Sequence, residues 1–315
     1  TESVRGKDLY LLVDVLNYSV TYQMTGNTNH MSPDDHFQNL KRIIASVGGK
    51  GRRINVIMPF LYESRQHKRS SRESLDCALA LQELVRMGVD NIITFDAHDP
   101  RVQNAIPLSG FETVSPAYQF TRGLMRTYKD LQFDSEHMMV ISPDEGATAR
   151  AIYLANVLGL DMGMFYKRRD YTRIVNGRNP IVAHEFLGTS VDGKDVIIID
   201  DMISSGESIL DVAKQLKKRK AKRIFAAATF GLFTNGMDQF DQAYEDGIID
   251  GILTTNLIYQ TPDLLSKPYY INCDMSKYIA LLIDTLNHDG SISSILNPSE
   301  RIQNVLNRYK NGEEV

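Results

Sequence analysis

The chain has 315 residues, of which 43% are hydrophobic and 23% charged, and its formal net charge is −4 at neutral pH. This length allows two ordinary domains, and this balance excludes a disordered segment or a protein built on a broad basic nucleic-acid surface. No apolar run approaches the roughly 20 residues that span a bilayer, and Cys77 and Cys273 form neither a zinc-type pattern nor a disulfide framework, so a cytoplasmic, membrane-free setting is expected.

In chain order, Thr1 to Gly6 read as the middle of a domain, and a further segment is expected to precede them. Strands are expected at Leu9 to Val13, Ile54 to Met58 and Ile92 to Phe95. Further strands are expected at Met138 to Ile141, Met162 to Tyr166, Val196 to Ile199, Ile224 to Ala228 and Ile252 to Thr254. Their apolar residues are continuous, the pattern of strands buried on both faces of a parallel sheet. Asn17 to Asp35 is polar and reads as an inserted loop. Leu75, Ala78, Leu79, Leu84 and Val85 form one helical face that stops before Gly88. Ile209, Val212, Ala213 and Leu216 form another, ending in the basic run Lys217 to Lys220. Strand–helix alternation of this kind predicts an α/β fold of two similar halves, each a mainly parallel sheet flanked by helices. The expected domains are 1–125 and 126–274, with a helix at 275–290 packing back on the first. Residues 297–315 read as a short, polar, helical C-terminal extension.

The most informative string is Val-Ile-Ile-Ile-Asp-Asp-Met-Ile-Ser-Ser-Gly-Glu-Ser, residues 196–208. A buried strand ends in Asp200 and Asp201, and a loop carrying Ser204, Ser205 and Gly206 opens a helix at Glu207 and Ser208. Backbone N–H groups at such a loop cradle an anion, and the serine hydroxyls add donors. Paired carboxylates beside them suit vicinal sugar hydroxyls, at the strand ends where open α/β sheets bind ligands. Gly188 to Asp195 approaches the P-loop pattern but lacks its final Ser/Thr and precedes a strand, so it reads as a turn. Tyr166-Lys167-Arg168-Arg169 precedes a long polar stretch to about Asp195, and such a stretch in a compact domain is more often functional or disordered than inert.

The string at 196–208 resembles the phosphoribosyl-binding motif of the phosphoribosyltransferase superfamily, with Ser204 replacing an acid and Glu207 a glycine. Three further segments narrow this likeness to the ribose-phosphate pyrophosphokinase (PRPP synthetase) family. Pro59 to Arg69, with Arg65, Gln66 and Lys68, resembles a segment that contacts ATP, although His67 replaces an acid. Thr94 to Asp99 resembles the segment whose histidine, here His98, sits at the magnesium–ATP site. Val140 to Arg150 resembles the segment whose aspartate, here Asp144, helps hold metal and ribose. Likeness continues through Thr229 to Phe233, where Phe230 replaces histidine, and through Ile252 to Asn256 and Met275 to Leu296.

The resemblance implies two phosphoribosyltransferase-type domains and transfer of the β,γ-diphosphate of ATP to the 1-hydroxyl of ribose 5-phosphate, giving PRPP and AMP. It implies Mg2+ held by His98 and Asp144, and ATP bound by Arg65, Gln66, Lys68 and His98. Ribose 5-phosphate falls to Asp200, Asp201 and Ser204 to Ser208, and catalysis to Lys167 and Arg169. It also implies a homo-oligomer, a hexamer built from dimers, with phosphate or ADP as possible effectors. The family's N-terminal strand-and-hairpin region is not in this sequence. Two rival readings stand beside this one. A catalytically weak regulatory homologue is motivated by His67, Ser204, Glu207 and Phe230, and a phosphoribosyltransferase consuming PRPP by the shared motif.

Overall fold

The computed structural model describes residues 2–169 and 181–315, the side chains of 167–169 and 181–184 excepted. Up to residue 116 the chain forms β1 (Asp8–Leu12), β2 (Thr21–Met24), β3 (Asn27–His30), α1 (Pro33–Val47), β4 (Arg53–Ile57), α2 (Asp76–Arg86), β5 (Asn91–Phe95) and β6 (Gly110–Val114). The middle adds α3 (Ala117–Thr127), β7 (Met138–Ser142), α4 (Thr148–Leu158), β8 (Asp161–Arg169), β9 (Ile181–Leu187) and β10 (Asp195–Ile203). There follow α5 (Glu207–Lys218), β11 (Ile224–Gly231), α6 (Asp238–Glu245), β12 (Gly251–Thr255), α7 (Pro262–Ser266) and β13 (Tyr270–Cys273). Helices α8 (Ser276–Asn287), α9 (Ser293–Leu296) and α10 (Ser299–Lys310) close the chain.

Two compact units result. The first combines Thr1–Pro116 with Asn256–Gln260 and Asp274–Asn297. Its sheet, ordered β1-β4-β5-β6, is parallel throughout, with Leu11 opposite Val56 and Val56 opposite Ile92. Val56, Ile57, Ile92, Ile93 and Phe95 are buried, as continuous apolar runs require. Helix α1 starts in a capping box: the Asp35 N–H donates to Ser32 Oγ and the Ser32 N–H to the Asp35 carboxylate. It ends at Gly48, whose φ of 58° is left-handed.

Two expectations change in this unit. Asn17 to Asp35 is not simply a loop, because β2 and β3 pair as an antiparallel hairpin whose turn residues, Thr25 and Gly26, both take positive φ. Its strands are almost wholly exposed, so they lack the burial that makes a strand readable. Helix α2 exists, but it buries Cys77, Ala80, Leu81 and Leu84 and leaves Leu79 exposed. Spacing alone allows either face in this Ala/Leu-rich run.

The second unit combines Ala117–Thr255, Thr261–Cys273 and Pro298–Val315. Its seven strands lie in the order β13-β12-β11-β10-β7-β8-β9, all parallel except β9, which runs antiparallel to β8. Alternate residues of β10 feed opposite faces. Ile197 and Ile199 join Phe120, Leu124 and Phe225, while Val196 and Ile198 join Ile209, Val212, Leu216 and Phe240. The apolar face expected on α5 is therefore the buried one.

Here too the structure departs from the sequence reading. The division falls after Pro116, because α3 packs Phe120, Leu124 and Met125 into the second core. The polar stretch expected from Asp170 to Asp195 contains β9. Residues 297–315 are polar in composition, yet α10 places Ile302, Val305 and Leu306 in the core, and Gln303 Nε2 donates to the Val157 carbonyl at 2.5 Å. Ile302 is fully buried, so Ile302→Ala is expected to cost about 2–5 kcal/mol. A lower urea midpoint at unchanged slope is the expected record; an unmoved midpoint would contradict the packing assigned to α10. Among the described residues no helix is long and apolar enough to cross a membrane.

Candidate functional site

The sequence-derived residues fall into two groups, one in each unit. In the second unit the group is built at the carboxyl ends of three neighbouring strands, β10, β7 and β8. The chain runs from β7 outward to β8 on one side and returns through β10 on the other. That reversal of strand order is the switch point where α/β sheets open a crevice.

Strand β10 extends further than its apolar run. Pairing with β7 stops at Ile198, opposite Ile141, but pairing with β11 continues through Asp200, Met202 and Ile203. The two carboxylates therefore lie on a strand paired on only one side, beyond its last pairing with β7. Asp201 is buried and its N–H donates to Asp200 Oδ1 at 2.8 Å. Arg150 Nη1 lies 3.7 Å from Asp200 Oδ1 and 4.0 Å from Asp201 Oδ1. Arg150 entered the sequence reading only as the end of a motif; its place on the first turn of α4 brings its charge to the pair.

Burial and the charge of Asp201 push the Asp200 carboxyl well above the usual carboxylate range, against the opposing pull of Arg150. A carboxyl raised on folding favours the folded state fully below its unfolded value, near 4. That contribution is lost as pH rises toward the folded value. Asp200→Asn removes the conflict, so its melting temperature is expected to exceed the parent's increasingly from about pH 4 to pH 8. A pH-independent difference would refute the raised Asp200 carboxyl.

Past Ile203 the chain turns at Ser204 and Ser205, and Gly206, at φ 91°, caps α5. Glu207, the residue that departs most from the motif, is exposed on the first helical turn. On β7's end, Ser142 Oγ donates to the Asp144 carbonyl at 2.6 Å. Asp144 Oδ1 accepts the N–H groups of Gly146 (2.9 Å) and Ala147 (3.2 Å). Lys167 and Arg169 belong to β8, but their side chains lie outside the described residues. Gly188 to Asp195 contains no strand-to-helix P-loop; it leads into β10.

In the first unit the segments follow β4 and β5, which are adjacent. Arg65 and Lys68 are exposed, and Gln66 Nε2 donates to the Ser74 carbonyl at 2.9 Å. His67 Nε2 lies 3.5 Å from Asp99 Oδ2, and the His67 and His98 rings are 5.2 Å apart. Arg101, hydrogen-bonded to Asp99, holds that carboxyl down at about 2. The two groups proposed for metal, His98 and Asp144, thus belong to different units. Among the described residues no three His, Cys, Asp or Glu side chains converge as a metal cage.

Comparison with known proteins points one way. Residues 1–88 match the family described as the N-terminal domain of ribose phosphate pyrophosphokinase, and residues 116–249 match the phosphoribosyl transferase domain. A ribose-phosphate pyrophosphokinase of Mycoplasma genitalium is 30% identical over 264 residues, covering 82% of this chain and 71% of the relative. The Vibrio parahaemolyticus enzyme of the same name is 28% identical over 301 residues, covering 94% and 86%. The fold is that of phosphoribosylpyrophosphate synthetase from Mycobacterium smegmatis, with a TM-score of 0.74 over 92% of this chain and 85% of that one at 23% identity.

Proposed function

Because the chain belongs to the ribose-phosphate pyrophosphokinase family, we infer that it moves the β,γ-diphosphate of ATP onto the 1-hydroxyl of ribose 5-phosphate, yielding PRPP and AMP. The observation that carries the reading locally is the one-sided end of β10, where two carboxylates precede a serine–glycine turn into a helix.

In this reading the 5-phosphate sits on Ser204, Ser205, Gly206, Glu207 and Ser208, against the N–H groups that open α5. Asp200 and Asp201 accept the ribose hydroxyls, whose O–H groups favour the charged carboxylates they donate to. Arg65, Gln66, Lys68 and His98 bind ATP. The anomeric oxygen attacks the β-phosphorus in line with the departing α-phosphate oxygen, and Lys167 and Arg169 balance the charge that builds on the migrating group.

Magnesium is bound through one or two protein groups plus phosphate oxygens and water, and so needs no closed cage. Asp144 fits such a role, since only Oδ1 is taken by backbone amides among the described residues; His98 would be the other group. When bound, Mg2+ would neutralise the phosphates. We further propose a cytoplasmic homo-oligomer, a hexamer built from dimers, with phosphate or ADP as effector.

The test is formation of AMP and PRPP from ATP and ribose 5-phosphate with Mg2+. Product that requires both substrates supports the assignment. No product, with ribose 5-phosphate still bound, would favour a non-catalytic homologue instead.

A further inference from the structure

We propose that Gln239, on the first turn of α6, is a positioning residue for the sugar-phosphate loop: it sets the peptide plane that lets the loop donate to, and not repel, the 5-phosphate. The inference rests on the reading that residues 204–208 hold that phosphate.

Three successive carbonyls of the loop are tied down by one downstream segment. Ile203 O accepts the N–H groups of Leu232 (2.8 Å) and Phe233 (3.3 Å), and Ser204 O accepts that of Thr234 at 3.1 Å. Ser205 O accepts the side-chain amide of Gln239. The first two ties are backbone to backbone and survive most substitutions. The third is made by a side chain.

A trans peptide is planar, with its C=O and the following N–H pointing in opposite directions. Fixing Ser204 O and Ser205 O on the α6 side therefore sends the N–H groups of Ser205 and Gly206 to the other side. Such N–H groups are what an anion at a helix N-terminus requires. The Ser205–Gly206 peptide is the vulnerable one, because glycine accepts either sign of φ and so permits the plane to flip. A flip would turn the Ser205 carbonyl toward the phosphate, replacing a donor with an acceptor.

The segment that holds the loop is anchored in the core at Phe233, Met237 and Phe240. Phe233 takes a positive φ of 46°, and its ring meets Phe240 edge-on at 5.2 Å. Phe240 is fully buried and lies against Gly206. Gln239, one residue before it, is half-buried and has little choice of position.

The experiment compares the parent with Gln239→Leu, which keeps bulk and removes the donor, and with Gln239→Glu, which offers only acceptors. KM for ribose 5-phosphate is expected to rise about tenfold or more in the first variant and further in the second. KM for ATP and kcat at saturation are expected to stay within about threefold, with melting within about 2 °C of the parent. A merely structural role would move both KM values and the melting temperature together, and that result overturns the proposal. A Gly206→Ala variant, whose added Cβ meets Phe240 and so displaces the loop's N–H groups, separates the two ideas. If it loses ribose 5-phosphate affinity while Gln239→Leu and Gln239→Glu do not, Gln239 has no positioning role. If it too binds as the parent does, the loop assignment fails and takes the proposal with it.

Discussion

Alanine at position 206 is expected to lower ribose 5-phosphate affinity about a hundredfold, an effect near 3 kcal/mol. Two penalties act together. The φ of 91° lies in the region that L-residues avoid, and a Cβ built there would collide with Phe240 Cζ and stand 2.7 Å from Cε2. The ring cannot retreat, since it is fully buried among Ile209, Val212 and Phe233. The loop must move instead, and the N–H groups that open α5 move with it. Calorimetric titration with ribose 5-phosphate, paired with a thermal melt, reads both consequences. Binding within about threefold of the parent would show that the phosphate does not depend on this turn.

Replacing Lys167 with alanine is expected to cut kcat by about a thousandfold or more while ribose 5-phosphate affinity survives. The expectation follows from the family likeness and from position. Lys167 lies on β8 beyond Met164, the last residue paired with β7, and so past the edge where Ser142 and Asp144 stand. In the proposed reaction a cation at this position would act on charge that appears only during transfer, so its loss is expected to fall on kcat and not on ground-state binding. Steady-state kinetics with each substrate varied in turn makes the distinction. Unchanged turnover would remove Lys167 from the mechanism, and a rise confined to KM for ATP would make it a binding residue.

Most of the strands that were readable in the sequence share one physical property: their burial is uniform along the segment. Val56 and Ile57, Val140 and Ile141, and Val196 to Ile199 are enclosed on both sides, so apolarity marks them without reference to period. Most strands whose burial is graded escaped, although β1 and the start of β8 were read from their apolar runs. Gly110 to Val114 is mostly half-buried, Tyr270 to Cys273 carries an exposed Asn272, and the β2–β3 hairpin has almost no inside at all. Helix α10 was readable as a helix, but its buried stripe of Ile302, Val305 and Leu306 is diluted by charge.

The site divides in the same way. Residues 196–208 are contiguous, so strand, carboxylates, turn and helix start can be read as one string. Arg150 reaches the same carboxylates from α4, and Gln239 and Phe240 support the turn from α6, about 30 residues downstream. Such residues act through tertiary placement, and nothing in their local sequence announces it.

The discontinuous make-up of the first unit has a consequence for synthesis on the ribosome. Its parallel sheet is encoded by residue 114, yet α8, which buries Tyr278 and Leu282, emerges only about 160 residues later. At typical elongation rates this interval lasts roughly ten to thirty seconds. During it the nascent sheet has no covering from α8, while much of the second unit's chain has already appeared. The usual order, in which an N-terminal domain finishes before the next begins, is therefore closed to this chain. The places that Tyr278 and Leu282 fill in the finished unit therefore stay empty until the late helix arrives.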